Sequence, residues 1–441
     1  MLRLQPESPD LWDSILPEEL RKLPDELARV DELLQNPRFM ESFVMRFDES
    51  LGRPSIPVAV YLRMMYLKFR YRLGYETLVQ EVSDSISWRR FCGIGYQQSV
   101  PDSTTLIKLT HKYGDRVLEE LHDLIIEDLQ KRKLVRGRKI RVDSTVVASD
   151  IHYPTDAGLL FDGLRRMRHG LLHLPKPGLR LGRTMKKAKK LIFSIAQALR
   201  KSDAKARERV RRINKALIRI ARGAVEKVRR VLQSAPLGRT HEHLATTLDL
   251  TQAVADQSEQ RLAGKTPPDR IVSLVDPGAR AIVKGKLDKP VEFGRTVQIT
   301  QDESGYFTRA SVHRGNPGDA PLVRTILETH QGQFGASPKA AAFDMGYSSE
   351  ENQIYLKDQG VSKIGMPWRG KPPPAVSLKQ KRPWFKKLMA FRAGMEGSLS
   401  FLSRKFGLKR SMFRGDAGTA IWASWVVLTA NLYRFGRGGL L

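Results

Sequence analysis

The stretch KIRVDSTVVASDI, Lys139 to Ile151, decides the fold. Its opening residues favour a β-strand, and the strand delivers a carboxylate, Asp143, where a polar turn begins. The same arrangement returns in KAAAFDMGYSS, where an apolar run ends at Asp344. If the two strands are neighbours in one sheet, both carboxylates stand at its carboxyl edge, where α/β folds place their ligands. Two like charges held together raise each other's pKa unless a cation lies between them. A hard divalent ion with oxygen ligands resolves that conflict, with Mg²⁺ expected first and Mn²⁺ as its substitute.

Around these acids the chain alternates. After the first strand comes a long helical interruption over about 155–265. Then EFGRTVQITQDESGYFTRASVHRG, Glu292 to Gly315, reads as a β-hairpin turning at Asp302–Gly305. Helix, strand, helix and strand follow through PLVRTILETHQGQF, KAAAFDMGYSS, SEENQIYLKDQGV and VSKIGMPW. A basic, Pro-rich stretch leads into a final helical region around Phe385 to Phe406, and AIWASWVVLTANLY reads as a buried terminal helix too short to span a bilayer. This order predicts an α/β fold with a mixed-sheet core over 136–435, an all-helical N-terminal domain over 1–135 and a basic helical insertion within the core. The N-terminal pattern suits either a helix-turn-helix-like DNA-binding module or a helical packing and dimerisation domain.

Charge narrows the function. The 441 residues hold 76 Lys+Arg against 47 Asp+Glu, a net charge of +29. Such an excess points to a polyanion, nucleic acid ahead of an anionic membrane, because neutralised phosphates release counterions. The distribution is uneven: residues 1–50 carry a net −6, whereas 161–240 hold 24 basic and 4 acidic side chains. Within Arg183–Ala235, Leu191, Ile192, Ile195 and Leu199 form one apolar stripe, and Val210, Ile213, Leu217, Ile220, Val228 and Val231 another. They predict a helical hairpin broken near Ser202–Asp203, with an outward face of Lys186, Lys187, Arg211, Arg212 and their neighbours for phosphate contact. A single cysteine, Cys92, excludes an intrachain disulfide framework and cysteine-rich zinc clusters. The closest histidine pair, His241 and His243, has no third ligand nearby in sequence. No signal-peptide pattern is read at the start, and the expected location is the cytoplasm, on the nucleoid.

A third carboxylate would complete a two-metal site. Glu350 and Glu351 suit the first turn of a helix, and Asp276 suits a turn. Glu396 in FRAGMEGSLSFLSRKFG lies one helical turn after Arg392 on the same face, where it can reach a metal while Arg392 and Arg404 or Lys405 hold phosphate of the DNA. Trp368 and Trp384 sit among basic residues, where they either stack on DNA bases or pack against the protein.

In order, VDSTVV with HYPTD, DPGAR with KPVEFGRTVQIT, FDMGYSSEENQIYL and FRAGMEGSLSFLSRKFG resemble the DDE transposases of bacterial insertion sequences. The resemblance runs from about Leu51 to the C-terminus. It implies a ribonuclease H-like core, a metal-binding catalytic triad of Asp143, Asp344 and Glu396, and Mg²⁺-dependent cleavage at element ends followed by joining to target DNA. It also implies two metal ions about 4 Å apart across the scissile phosphate, and a homodimer when two DNA ends are held together. Around the last acid, Arg392 and Glu396 fit the related Tyr–Arg–Glu–Lys signature, while Met389 and Ser403 occupy the Tyr and Lys positions. Two other readings keep part of this pattern: a non-catalytic DNA-binding protein with a decayed core, and a metal-dependent nuclease without strand transfer.

Overall fold

The computed structural model describes residues 17–44, 55–175, 178–200, 203–283 and 291–438. They divide into two units, one formed by 1–148 with 296–441 and the other by 149–295.

The first unit begins with α1 (Glu18–Arg21), α2 (Asp25–Leu34), α3 (Arg38–Val44), α4 (Val58–Tyr71), α5 (Tyr75–Asp84), α6 (Ile86–Cys92) and α7 (Ser103–Lys131). Asp102 starts α7 by accepting the Thr104 and Thr105 amides at 2.7 and 3.2 Å, which satisfies two donors that the first turn leaves open. Helix α4 is buried on every face from Val58 to Phe69, so it is an interior helix with no side free to enter a DNA groove.

β1 (Lys139–Ser149) opens the sheet. β3 (Val291–Asp302) and β4 (Phe307–Val312) form the expected antiparallel hairpin, and β3 lies beside β1. β1 also pairs in parallel with β5 (Ala340–Ala342), and β5 with β6 (Lys363–Gly365). The short β7 (Arg410–Ser411) joins the far end of β1, where the Ala148 amide donates to the Lys409 carbonyl at 3.0 Å. Parallel neighbours need crossovers; α12 (Val323–Phe334) precedes β5 and α13 (Glu350–Asp358) joins β5 to β6. α14 (Pro374–Lys381), α15 (Pro383–Phe406) and α16 (Gly415–Gly436) complete the unit. The N-terminal helices, expected as a separate domain, share one apolar core with β3, β4, α15 and α16. Tyr61 meets Trp425 at 6.0 Å and Phe69 meets Trp422 at 4.9 Å, which ties α4 to α16.

The second unit is built from α8 (Asp156–Leu172), α9 (Gly182–Ala198), α10 (Ala204–Gln233) and α11 (Arg239–Leu262), with β2 (Arg280–Val283) paired to the first residues of β3. The predicted hairpin is α9 and α10, with Asp203 capping α10 through the Ala206 amide; Ser202 lies outside the described residues. Its stripes do not close on each other alone. Ile213, Leu217 and Val228 are buried among side chains of α8 and α11 as well, while Leu199 is exposed. Gly163 and Gly170, seven residues apart on α8, let Thr251 and Leu244 of α11 press against the α8 backbone.

The ends of this unit are fastened by a buried ion pair. Arg295 donates to both Asp276 oxygens at 2.7 and 2.6 Å and to the Ser149 hydroxyl at 3.1 Å, with Arg295 and Asp276 each 2% exposed. Asp276 is therefore more than the turn residue expected from VDPGAR. No helix among the described residues is long and apolar enough to cross a membrane.

Candidate active site

Alternation along β1 assigns its faces. Ile140 and Val142 point into the apolar layer with α12 and α13, whereas Lys139, Arg141 and Asp143 share the opposite face. That face meets α15. Lys139 lies 3.9 Å and Arg141 4.8 Å from the centre of the Phe391 ring. Arg141 also donates to the Phe391 carbonyl at 2.8 Å, the Ser398 hydroxyl at 3.0 Å and the Gln301 side chain at 2.9 Å. One arginine thereby fixes where α15 crosses the sheet, and with it the heights of Arg392 and Glu396.

Asp143 is not at the end of a strand, as its sequence setting predicts, but within the eleven-residue β1. β5 stops at Ala342, so Asp344 stands just beyond a strand end and precedes a 3₁₀ turn, Met345–Tyr347. The two aspartates and Glu396 converge on Arg392. Its Nη2 lies 2.9 Å from Asp143 and 3.3 Å from Asp344, and its Nη1 lies 3.8 Å from Glu396. The Asp143 side chain is 13% exposed, that of Asp344 46% and that of Glu396 77%, so the acids run from the interior to the rim. Burial raises the Asp143 pKa; the Arg392 guanidinium opposes the rise, and Asp344 and Asp319 add to it.

Asp319 was not picked out from sequence. Its Oδ1 accepts the Ser144 hydroxyl at 2.6 Å, next to Asp143, and its Oδ2 lies 2.6 Å from where a β-carbon on Gly346 would be, two residues past Asp344. Tyr347 and Gln298 extend this support: the Tyr347 hydroxyl lies 3.4 Å from the Ser144 hydroxyl and accepts from Gln298 Nε2 at 3.4 Å. The signal available in sequence was the turn-rich HRGNPGDA, whose Asn316 adopts φ 50° and accepts the Thr296 amide at 2.8 Å.

The other predicted residues fare differently. Lys405 is turned onto Tyr433, donating to its hydroxyl at 2.6 Å and lying 4.1 Å from the ring centre, which directs it away from a phosphate at Glu396. Arg404 is exposed. Trp384 packs beside Ala340, Ala342 and Leu388, the packing alternative of its two readings, and Trp368 is half-buried. Lys186, Lys187, Arg211 and Arg212 are all exposed on the second unit. Glu350 and Glu351 occupy the first turn of α13.

Among the described residues no group of three or more His, Cys, Asp or Glu side chains is arranged to hold a metal ion. The physical reason is the guanidinium, toward which the acids point in place of one another. A cation position common to Asp143 and Asp344 nonetheless exists, since one Arg392 nitrogen serves both, and the donors are all hard oxygens suited to Mg²⁺ or Mn²⁺.

Two family models match the sequence. The Transposase domain (DUF772) covers residues 16–112, and the Transposase DDE domain covers 280–432. The second match holds Asp319, Asp344, Arg392 and Glu396, while Asp143 lies outside both and is joined to that group by its contact with Arg392. No curated relative and no solved structure matches the chain. With a DNA substrate implied by both matched domains and a ribonuclease H-like mixed sheet against which the acids meet, the chain belongs to the DDE transposases of insertion sequences.

Proposed function

We propose that this transposase cleaves phosphodiester bonds at the ends of its element and joins the freed 3′-hydroxyls to target DNA, with Asp143, Asp344 and Glu396 as its metal-binding triad. The observation that carries this reading is the meeting of three acids, distant in sequence, at the single Arg392 guanidinium. Divalent cations held by these carboxylates would supply Lewis acidity to the scissile phosphate and a nucleophilic water at neutral pH.

The chain's own groups do the rest. Arg141 and the sheet hold α15 so that Glu396 comes within 3.8 Å of the guanidinium that both aspartates share. Arg392 pairs with the acids in the resting state and is free to turn its fork to a phosphate once other cations take its place. No serine or tyrosine needs to form a covalent bond to DNA. The exposed cations Lys186, Lys187, Arg211 and Arg212 supply a backbone-binding face on the second unit, Arg404 supplies another charge on α15, and two protein copies hold the two DNA ends.

Asp143→Asn, Asp344→Asn and Glu396→Gln should each bind end DNA as the unaltered chain does and lose Mg²⁺-dependent cutting by more than roughly 100-fold. Normal cutting by any one of them removes that acid from the triad. Joined products with a target plasmid distinguish transposition from simple nuclease action, and binding without any cleavage marks a decayed core.

A further inference from the structure

The second unit holds a cleft of about 590 Å³ with no carboxylate in its lining. Arg165 and His169 reach it from α8 and His173 from the residue that caps α8, and Arg239 and His243 from α11, each set spaced by four residues so that the side chains follow one face of their helix. Leu244 and Val275 provide apolar lining. Leu244 presses against the α8 backbone at Gly170, where any side chain would collide with it, so the close helix crossing and the cleft beside it depend on the same glycine.

The lining is one-sided in charge. Arg165 has Asp162 as a neighbour at 3.0 Å, but Arg239 makes no ion pair among the described residues. Basic groups facing each other across a cleft repel unless an anion lies between them. The histidines do not form a metal site, since no such group exists among the described residues. What they add is flat surface: the His169 and His173 rings stand 4.7 Å apart beside Leu244. Guanidiniums suited to phosphate, next to planar and apolar surfaces suited to a base, match the two halves of a nucleotide. The volume falls within the ordinary range for small-ligand sites, about 300–1,000 Å³.

We propose that this cleft between α8 and α11 binds a phosphate-bearing nucleotide, either free or within single-stranded DNA. The preference for a nucleotide over other phosphate carriers rests on the transposase reading; the charge and shape of the cleft do not.

The test uses the full chain and a fluorescent single-stranded oligonucleotide of about a dozen nucleotides, competed with deoxyadenosine monophosphate. Arg239→Ala with His243→Ala should weaken oligonucleotide binding about tenfold, and Arg165→Ala with His169→Ala, from the opposing helix, should do the same. The control is Lys227→Ala with Arg230→Ala, exposed cations of α10 outside the cleft, which removes at least as much charge and should weaken binding less than about twofold. Equal losses in all three variants, or no loss from the cleft pairs, overturn the proposal. Competition by the mononucleotide identifies a free-nucleotide site, and loss of oligonucleotide binding without such competition identifies a strand site. End cleavage by Asp143→Asn, Asp344→Asn and Glu396→Gln is measured in parallel: if all three cut normally the proposed transposase chemistry fails, while the binding comparison among the cleft variants keeps its meaning.

Discussion

The Arg141 guanidinium occupies the space that a side chain on Gly394 would need, so the bond network that seats α15 on β1 works only with a glycine at that helix position. Two effects of Gly394→Ala oppose each other. Replacing glycine inside a helix stabilises by up to about 1 kcal/mol, whereas forcing a methyl group into an occupied site costs about 1–3 kcal/mol. Overall stability should therefore change little, but either the Arg141 guanidinium gives up its bonds to α15 or α15 shifts; both loosen the seating of the helix, and a displacement near 1 Å at the acids costs on the order of 100-fold in rate. Gly397, three residues on, has open space where its β-carbon would be. Gly397→Ala should raise the melting temperature slightly and keep cleavage intact, so activity assays on the two variants separate seating of the helix from helix propensity. Equal activity in both would show that α15 tolerates displacement.

Asp319 holds Ser144 and abuts Gly346, the near neighbours of Asp143 and Asp344, without itself contacting Arg392. It acts as a positioning residue for both aspartates. Supporting groups around metal ligands are commonly worth about 10–100-fold, and Asp319→Ala should lose cleavage within that range. Asp319→Asn keeps an oxygen for the Ser144 hydroxyl and should recover part of the rate. The distinguishing readout is kcat against KM: a positioning role lowers kcat with end binding unchanged, whereas collapse of the surrounding loop would weaken both and lower the melting temperature.

The aspartates were legible because each follows a run of strand-forming residues, and Glu396 because Arg392 stands one helical turn before it. Their supports were not. Asp319 and Ser144 are 175 residues apart, and nothing local distinguishes Asp319 from any other acid in a turn. Arg141 looked like one more cation in a basic chain, yet its partners lie on α15 and β3, contacts that only the folded sheet creates. The expected boundary near residue 135 followed from the change from helical to strand-like texture. That texture does not reveal what covers a helix buried on all sides, and for α4 the cover includes α16, more than 300 residues later. Likewise the stripes of α9 and α10 announced two helices, while α8 and α11, which share their apolar core, close on each other through Gly163 and Gly170, residues that weaken a helix reading.

Arg295 and Asp276 form a bidentate pair with both side chains buried, joined by Ser149, close to where the chain enters and leaves the second unit. Removing one partner leaves an uncompensated buried charge, at about 3–5 kcal/mol. Asp276→Ala should therefore loosen residues 149–295 selectively, seen as faster hydrogen exchange in α8–α11 with β1, β5 and α16 still protected. The double variant Asp276→Leu with Arg295→Met removes both charges and should recover much of the loss. Uniform destabilisation of both units would show that they unfold together.

His122 is buried, and its Nε2 lies 3.0 Å from the Phe307 carbonyl, which also accepts from the Asn431 side chain at 2.8 Å. Burial pulls the His122 pKa down to about 3, assisted by the nearby Arg309 guanidinium, from an ordinary 6.5. The folded chain therefore keeps this imidazole neutral while the unfolded chain protonates it below 6.5, so stability is full above that pH and declines as pH falls toward 3. At about 1.4 kcal/mol per unit, the linkage amounts to roughly 4–5 kcal/mol at the acid end. Asp302 works the other way: burial raises its pKa to about 6, so its contribution strengthens as pH drops from 6 toward the usual carboxylate range. Comparing the unaltered chain with His122→Gln cancels the Asp302 effect, since both keep it. Urea midpoints at pH 7 and pH 4 should show a smaller acid loss for His122→Gln; identical pH dependence in the two proteins would mean that His122 gains its proton without unfolding.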